Sequence, residues 1–226
     1  MFNCRLWGVC WCKNIIFMNG TIKLVEGEYQ GLEAFDNVHV KNFFKAVLEV
    51  DNNYYYYSNN YQNGTSQMEE QLERVFAYEL YHQWSIILEN YNNGLLNEDD
   101  KRIINGEAGK KLDGCPVFPD MILHKGQGDC HNQEIAIEIK RKVSLSEENL
   151  VNDLEKLSYM HTEGKLKYGA TPFKYCVFLL TGGTENDLIT ILKNKRLTDI
   201  CDDIICVFCQ HKGELQYISM DEIKMV

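Results

Sequence analysis

At 226 residues, 45% hydrophobic and 25% charged, the chain has enough apolar content to bury a full core and reads as globular rather than disordered. No apolar run approaches the ~20 residues that cross a bilayer, and Lys13–Asn14 interrupts the apolar stretches near the N-terminus with no small-residue cleavage site following. The net charge of −10, from 33 acidic and 23 basic residues, argues against broad electrostatic capture of nucleic acid. Any such contact falls to local patches, Lys110–Lys111 and Lys140–Arg141–Lys142.

Taken in chain order, residues 1–65 read as an N-terminal extension. Within it, Val40, Phe43, Phe44, Val47 and Leu48 recur at helical spacing and predict a helix from Val38 to Val50. The Asn/Tyr-rich stretch from Asp51 to Gln67 has no period and reads as a linker. The main domain is expected over 66–226. Ser66 and Glu69 match a capping box that opens a long helix, with Met68, Leu72, Val75, Phe76, Ile86 and Ile87 as its apolar stripe and Asn92–Asn93–Gly94 as its stop.

Strands follow, at Arg102 to Asn105, Val117 to His124 and Glu134 to Arg141, the last two separated by the turn-rich Gly126–Gln127–Gly128–Asp129. A second capping box, Ser144 with Glu147, starts a helix carrying Leu150, Val151, Leu154 and Leu157. Tyr175 to Leu180 is a continuous apolar run, as in a strand covered on both faces. Thr184 to Lys195 reads as a helix, Ile204 to Cys209 as a buried strand, and Gln216 to Ser219 as a short edge strand. The order helix, three strands, helix, strand, helix, strand predicts an α/β fold with a mixed central sheet flanked by helices.

The nine cysteines, at 4, 10, 12, 115, 130, 176, 201, 206 and 209, are odd in number and accompany no export signal, so reduced thiols and a cytoplasmic location are expected. Cys206 and Cys209 have the gap of a zinc half-site, but no second such pair exists and both lie in an apolar run. They read as small hydrophobes in a strand. Thr181–Gly182–Gly183–Thr184 lacks the Gly-Lys-Ser/Thr ending of a phosphate loop, and neither Gly-x-Ser-x-Gly nor His-Glu-x-x-His occurs.

Chemistry concentrates in Pro119–Asp120 and, after seventeen intervening residues, Glu138–Ile139–Lys140. Ile135, Ile137 and Ile139 alternate with Glu134, Ala136, Glu138 and Lys140, so the isoleucines mark the core face and place Glu138 beside Lys140 on the other. Asp120 stands between Phe118 and Ile122, where an unpaired carboxylate is costly to bury. If the two strands are neighbours, Asp120 and Glu138 converge on one ion. Hard oxygen ligands suit Mg²⁺, which polarises a phosphate and lowers the pKa of its water, while a lysine stabilises the charge that develops.

In these residues the sequence resembles the PD-(D/E)XK nucleases, the restriction-endonuclease-like superfamily. The resemblance covers the middle half of the chain, from Ser66 to Leu180, and implies an αβββαβ core. It implies Asp120 and Glu138 as ligands of Mg²⁺ (or Mn²⁺), the Ile139 carbonyl as a further ligand, and Lys140 as the catalytic lysine. The activity implied is hydrolysis of phosphodiester bonds in DNA, with a homodimer as one arrangement for cutting both strands and with no membrane involved. Members of the family often add an acid from the first core helix. Glu79 is the candidate on the apolar stripe, with Glu73 next and His82 and Gln83 close by.

Blander readings stand beside these. Glu79 is equally a boundary residue pairing with His82 or Arg74, Glu107 a turn residue, and Asp153 and Lys156 part of a solvated helix face. His124 and His131 read as surface histidines. The same fold without hydrolysis, as a nucleic-acid-binding or assembly module, suits the acidic balance.

Overall fold

The computed structural model describes residues 19–55, 66–97, 100–106, 119–125, 132–162, 171–193 and 197–225. Its strands are β1 (Gly20–Val25), β2 (Glu28–Gln30), β3 (Ile103–Gly106), β4 (Met121–His124), β5 (Gln133–Arg141), β6 (Tyr175–Thr181), β7 (Ile205–His211) and β8 (Glu214–Ser219). The helices are α1 (Val38–Glu49), α2 (Asn52–Tyr55), α3 (Ser66–Asn93), α4 (Glu147–His161), α5 (Glu185–Leu192) and α6 (Met220–Lys224). All strands join one mixed sheet in the order β2-β1-β8-β7-β6-β5-β4-β3. The β3–β4–β5 meander is antiparallel, β6 runs parallel to β5 and β7 parallel to β6, and the remaining pairings are antiparallel. The expected α/β architecture, a mixed sheet flanked by helices, is therefore present.

The alternation of β5 decides the layers. Ile135, Ile137 and Ile139 enter a core shared with Phe43, Phe44 and Val47 of α1 and Phe76, Leu80 and Trp84 of α3. Ala136 belongs to the opposite core, built with Leu150, Leu154 and Leu157 of α4 and Leu188 of α5. Each large side chain so buried contributes about 1.5–3 kcal/mol, so the sheet is held from both sides. Cys206 and Cys209 fall into opposite cores, because residues three apart in a strand point to opposite faces. They cannot share a metal ion.

Residues 20–55 share this sheet and core with the rest of the chain. β1 pairs with β8, and Ile22, Val40 and Phe43 are fully buried in the α1–α3 core. β1 turns into β2 through Glu26 (φ 51°) and Gly27 (φ 85°), the positive angles of the two-residue turn whose twist suits a hairpin.

Several local expectations shift. The stripe of α3 is Phe76, Leu80, Trp84 and Leu88, spaced by four, while Ile86 is exposed. The helix after β5 is capped by Ser146, whose Oγ accepts from the Asn149 N–H. Ser144 instead ends a 3₁₀ turn, Lys142–Ser144, that delays the helix. β8 is not an edge strand, since β1 covers its outer side. His124 is buried in β4 beside the Asn105 side chain rather than lying on the surface. Among the described residues, no helix is long and apolar enough to cross a membrane.

Candidate active site

Met121 pairs with Ile137, so one residue earlier Asp120 stands opposite Glu138, just before β4 begins. Here β4 has not yet started, and the ladder position it would fill is taken by a side chain: the Ile139 N–H donates to Asp120 Oδ2 at 2.7 Å. The Ile139 carbonyl leaves the strand on the same side as its N–H and so also points past the end of β4. Asp120 and Glu138 are thus brought together as their strand pattern predicts, with Lys140 two residues on.

Two helices complete the cluster. From α3, Glu73 Oε1 lies 3.2 Å from Lys140 Nζ, and the Ser144 hydroxyl donates to Glu73 Oε2 at 3.3 Å. From α4, Asp153 Oδ2 lies 3.3 Å from Lys140 Nζ, and its Oδ1 lies 3.0 Å from Lys156 Nζ. Lys156 also donates to Glu138 Oε1 at 2.8 Å. Four carboxylates (Glu73, Asp120, Glu138, Asp153) therefore face two ammoniums (Lys140, Lys156), a formal excess of two negative charges in a half-dry place.

Electrostatics follow from that excess. Glu138 is 1% exposed, and burial raises its carboxyl well above the ordinary range. The charges of Asp120 and Asp153 add to this, and Lys156 only partly offsets it. Burial likewise raises Asp120, against the pull of the Ile139 N–H and Lys140, and raises Glu73 against the pull of Lys140. Burial alone would lower Lys140, but Asp153, Glu73 and Asp120 outweigh it and hold the ammonium charged. Asp153, 6% exposed, keeps Oδ2 buried without a hydrogen bond despite the nearby Lys140 ammonium. Such a cluster is short of positive charge.

Glu79 is not part of it. Six residues beyond Glu73 the helix has turned through about 240° and advanced ~9 Å, so Glu79 accepts from Gln83 Nε2 at 2.7 Å and faces Tyr54. Glu73 is the acid that α3 delivers. His82 is exposed on the same helix, and Gln83 is occupied by Glu79. Glu107, His131 and Lys110–Lys111 lie outside the described residues.

Asp153 and Lys156, read from sequence as a solvated face, are central instead. The signal was present: on a helical wheel Asp153 falls between the buried Leu157 and Met160, inside the apolar arc rather than beside it. The basic patch after β5 is engaged by the protein itself, Arg141 donating to the Tyr55 carbonyl at 3.1 Å and Lys142 lying 2.9 Å from Asp187.

Compared with protein-family models, with curated proteins and with solved structures, the chain gives no match.

Proposed function

We propose that the chain is a metal-dependent nuclease of the PD-(D/E)XK type, acting as an endonuclease on DNA. The observation that carries this reading is the convergence of Asp120, Glu138 and Lys140 where β4 begins beside β5, with Glu73 arriving from the helix that precedes these strands. Element order supports it as well. α3, antiparallel β3–β4–β5, α4, and β6 parallel to β5 make the αβββαβ succession that the resemblance implies.

A divalent ion fits this donor set. The ligands are hard carboxylate oxygens, suited to Mg²⁺ or Mn²⁺, which keep several waters and need only one or two carboxylates. Raised proton affinity at both Asp120 and Glu138 means that each gains from a nearby cation. These two carboxylates and the Ile139 carbonyl would hold the ion, which when bound polarises a phosphate oxygen and lowers the pKa of its water.

Lys140 sets an ammonium where charge builds on phosphorus. Loss of one such donor costs about 10²–10³ in rate. Glu73 and Asp153 fix the direction of that ammonium from two sides. Lys156 neutralises Glu138 and spans it to Asp153, so α4 orients one ligand of the pair. Cutting both strands of a duplex calls for two such centres, which a homodimer supplies. Reduced thiols and a DNA substrate go with a cytoplasmic location.

A second reading, a module of this fold that binds nucleic acid or serves assembly without hydrolysis, is favoured by the engagement of Lys140 in ion pairs, and the net charge of −10 favours its assembly form. One experiment separates the two. Plasmid, linear duplex, single-stranded DNA and RNA are incubated with the protein and Mg²⁺, Mn²⁺ or EDTA, alongside Asp120→Asn and Lys140→Ala. The nuclease reading expects metal-dependent cleavage that both substitutions abolish in folded protein. Metal-independent DNA retention without cleavage would select the binding module, and cleavage indifferent to both substitutions would remove the assignment.

A further inference from the structure

A second group of side chains gathers at the far end of α4. His161, the last residue of that helix, has a side chain only 8% exposed. Its Nδ1 lies 2.9 Å from the Phe173 carbonyl. A carbonyl only accepts, so Nδ1 carries the proton, and in the neutral ring Nε2 keeps the lone pair. That Nε2 is buried and has no hydrogen-bond partner, although Asp203 Oδ2 lies 3.5 Å away. The ligand atoms of His161, Cys201 and Asp203 all lie within 4.8 Å of one another. The fully buried Cys176 thiol faces the same imidazole from β6.

We infer that His161 Nε2, Cys201 Sγ and Asp203 Oδ2 form a structural zinc site, with the Cys176 thiol packed beside the imidazole. A thiolate, an imidazole and a carboxylate, three donors that leave the fourth tetrahedral position to a water, match the N/S preference of Zn²⁺ and not the oxygen shell of Mg²⁺. The imidazole is already arranged as metal-binding histidines are, with its other nitrogen fixed by a backbone carbonyl. Binding replaces the thiol proton of Cys201, which leaves to solvent, by a metal–sulfur bond.

The neighbouring backbone is held in place. The Phe173 N–H donates to the Met160 carbonyl at 3.0 Å, and the Cys201 N–H donates to Ser158 Oγ at 2.7 Å. The ion would cross-link two stretches distant in sequence, the end of α4 and the segment ahead of β7. Since α4 also carries Asp153 and Lys156, the site fixes the helix that orients the carboxylate cluster. The inference stands whether or not that cluster hydrolyses DNA.

Cobalt tests it directly. The protein, reduced and with Cys4, Cys10, Cys12, Cys115 and Cys130 all replaced by Ser, is titrated with Co²⁺ and then Zn²⁺. The expected result is thiolate-to-cobalt charge-transfer absorption saturating near about one ion per chain, bleached by Zn²⁺ and absent in Cys201→Ala. Asp203→Ala, a change at a half-exposed position, is the second variant. It should keep the absorption and weaken the affinity by more than about tenfold. Zinc at about 100 times its dissociation constant should lower the unfolding constant about 100-fold, an effect missing in Cys201→Ala. No charge-transfer absorption in the Ser-substituted protein, or absorption unchanged in both ligand variants, overturns the inference.

Discussion

Lys156→Met tests the electrostatics of the carboxylate cluster most sharply. Glu138 is 1% exposed and its nearest cation is Lys156 Nζ at 2.8 Å. Removing one partner of a buried pair costs about 3–5 kcal/mol, because a charge is left without compensation. The Lys156 side chain is 26% exposed, so the low end, ~3 kcal/mol, is expected at neutral pH. For a chain of this size that is about 6–12 °C in Tm. Glu138 binds its proton more tightly folded than unfolded, where its ordinary value is 4.5. Between that value and the raised folded one, the native state holds the extra proton. Stability from this group therefore falls as pH rises, by at most ~1.4 kcal/mol per unit.

Deleting Lys156 removes an attraction that holds Glu138 down, so the window extends upward. The gap between variant and wild type should widen as pH rises through the raised folded-state range of Glu138 and narrow in acid, where a protonated Glu138 no longer needs the ammonium. Urea unfolding at several pH values, followed by circular dichroism, reads this directly, and added Mg²⁺ should recover part of the loss. A variant as stable as wild type, or a gap constant with pH, would refute the role given to this pair.

Other expectations follow from the same geometry. Glu73→Gln should lower metal-dependent cleavage at least about tenfold by freeing Lys140, whereas Glu79→Gln, which faces Gln83 and Tyr54 away from Lys140, should leave cleavage intact and stability within ~0.5 kcal/mol; equal losses in a plasmid assay would reverse this assignment. Cys209, pushed up to about 12 by burial, and Cys206, raised by burial, should resist alkylation in folded protein and react only on unfolding, as peptide mass mapping would show. Gly31→Ala should destabilise by ~1–3 kcal/mol, because φ is 86° there and a Cβ would lie 2.6 Å from the Thr21 carbonyl oxygen; an unchanged urea midpoint would count against the close approach of β1 to this turn.

Much of the centre of the fold was legible along the chain. The boundaries of α3 rest on its start and stop residues, the faces of β5 on strict alternation and β6 on an unbroken apolar run, and local sequence carries all three. The same alternation set Glu138 and Lys140 beside Ala136, and the strand register then delivered Asp120 to them. β1, for which the sequence offered no signal, depended on neighbours instead. β1 has a single buried residue, Ile22, and so a weak pattern of its own. It exists because β8 offers it an open edge.

The sequence alone determined which residue types could hold an ion and which strand faces they share, since chirality and the pleat fix side-chain direction residue by residue. Tertiary structure alone decided that Glu73 and not Glu79 reaches Lys140, that Asp153 and Lys156 of α4 close the cluster, and that His161, Cys201 and Asp203 meet. Those meetings depend on the distance and rotation between elements far apart in the chain. Such quantities follow from how whole helices pack on a sheet, and no local pattern encodes them.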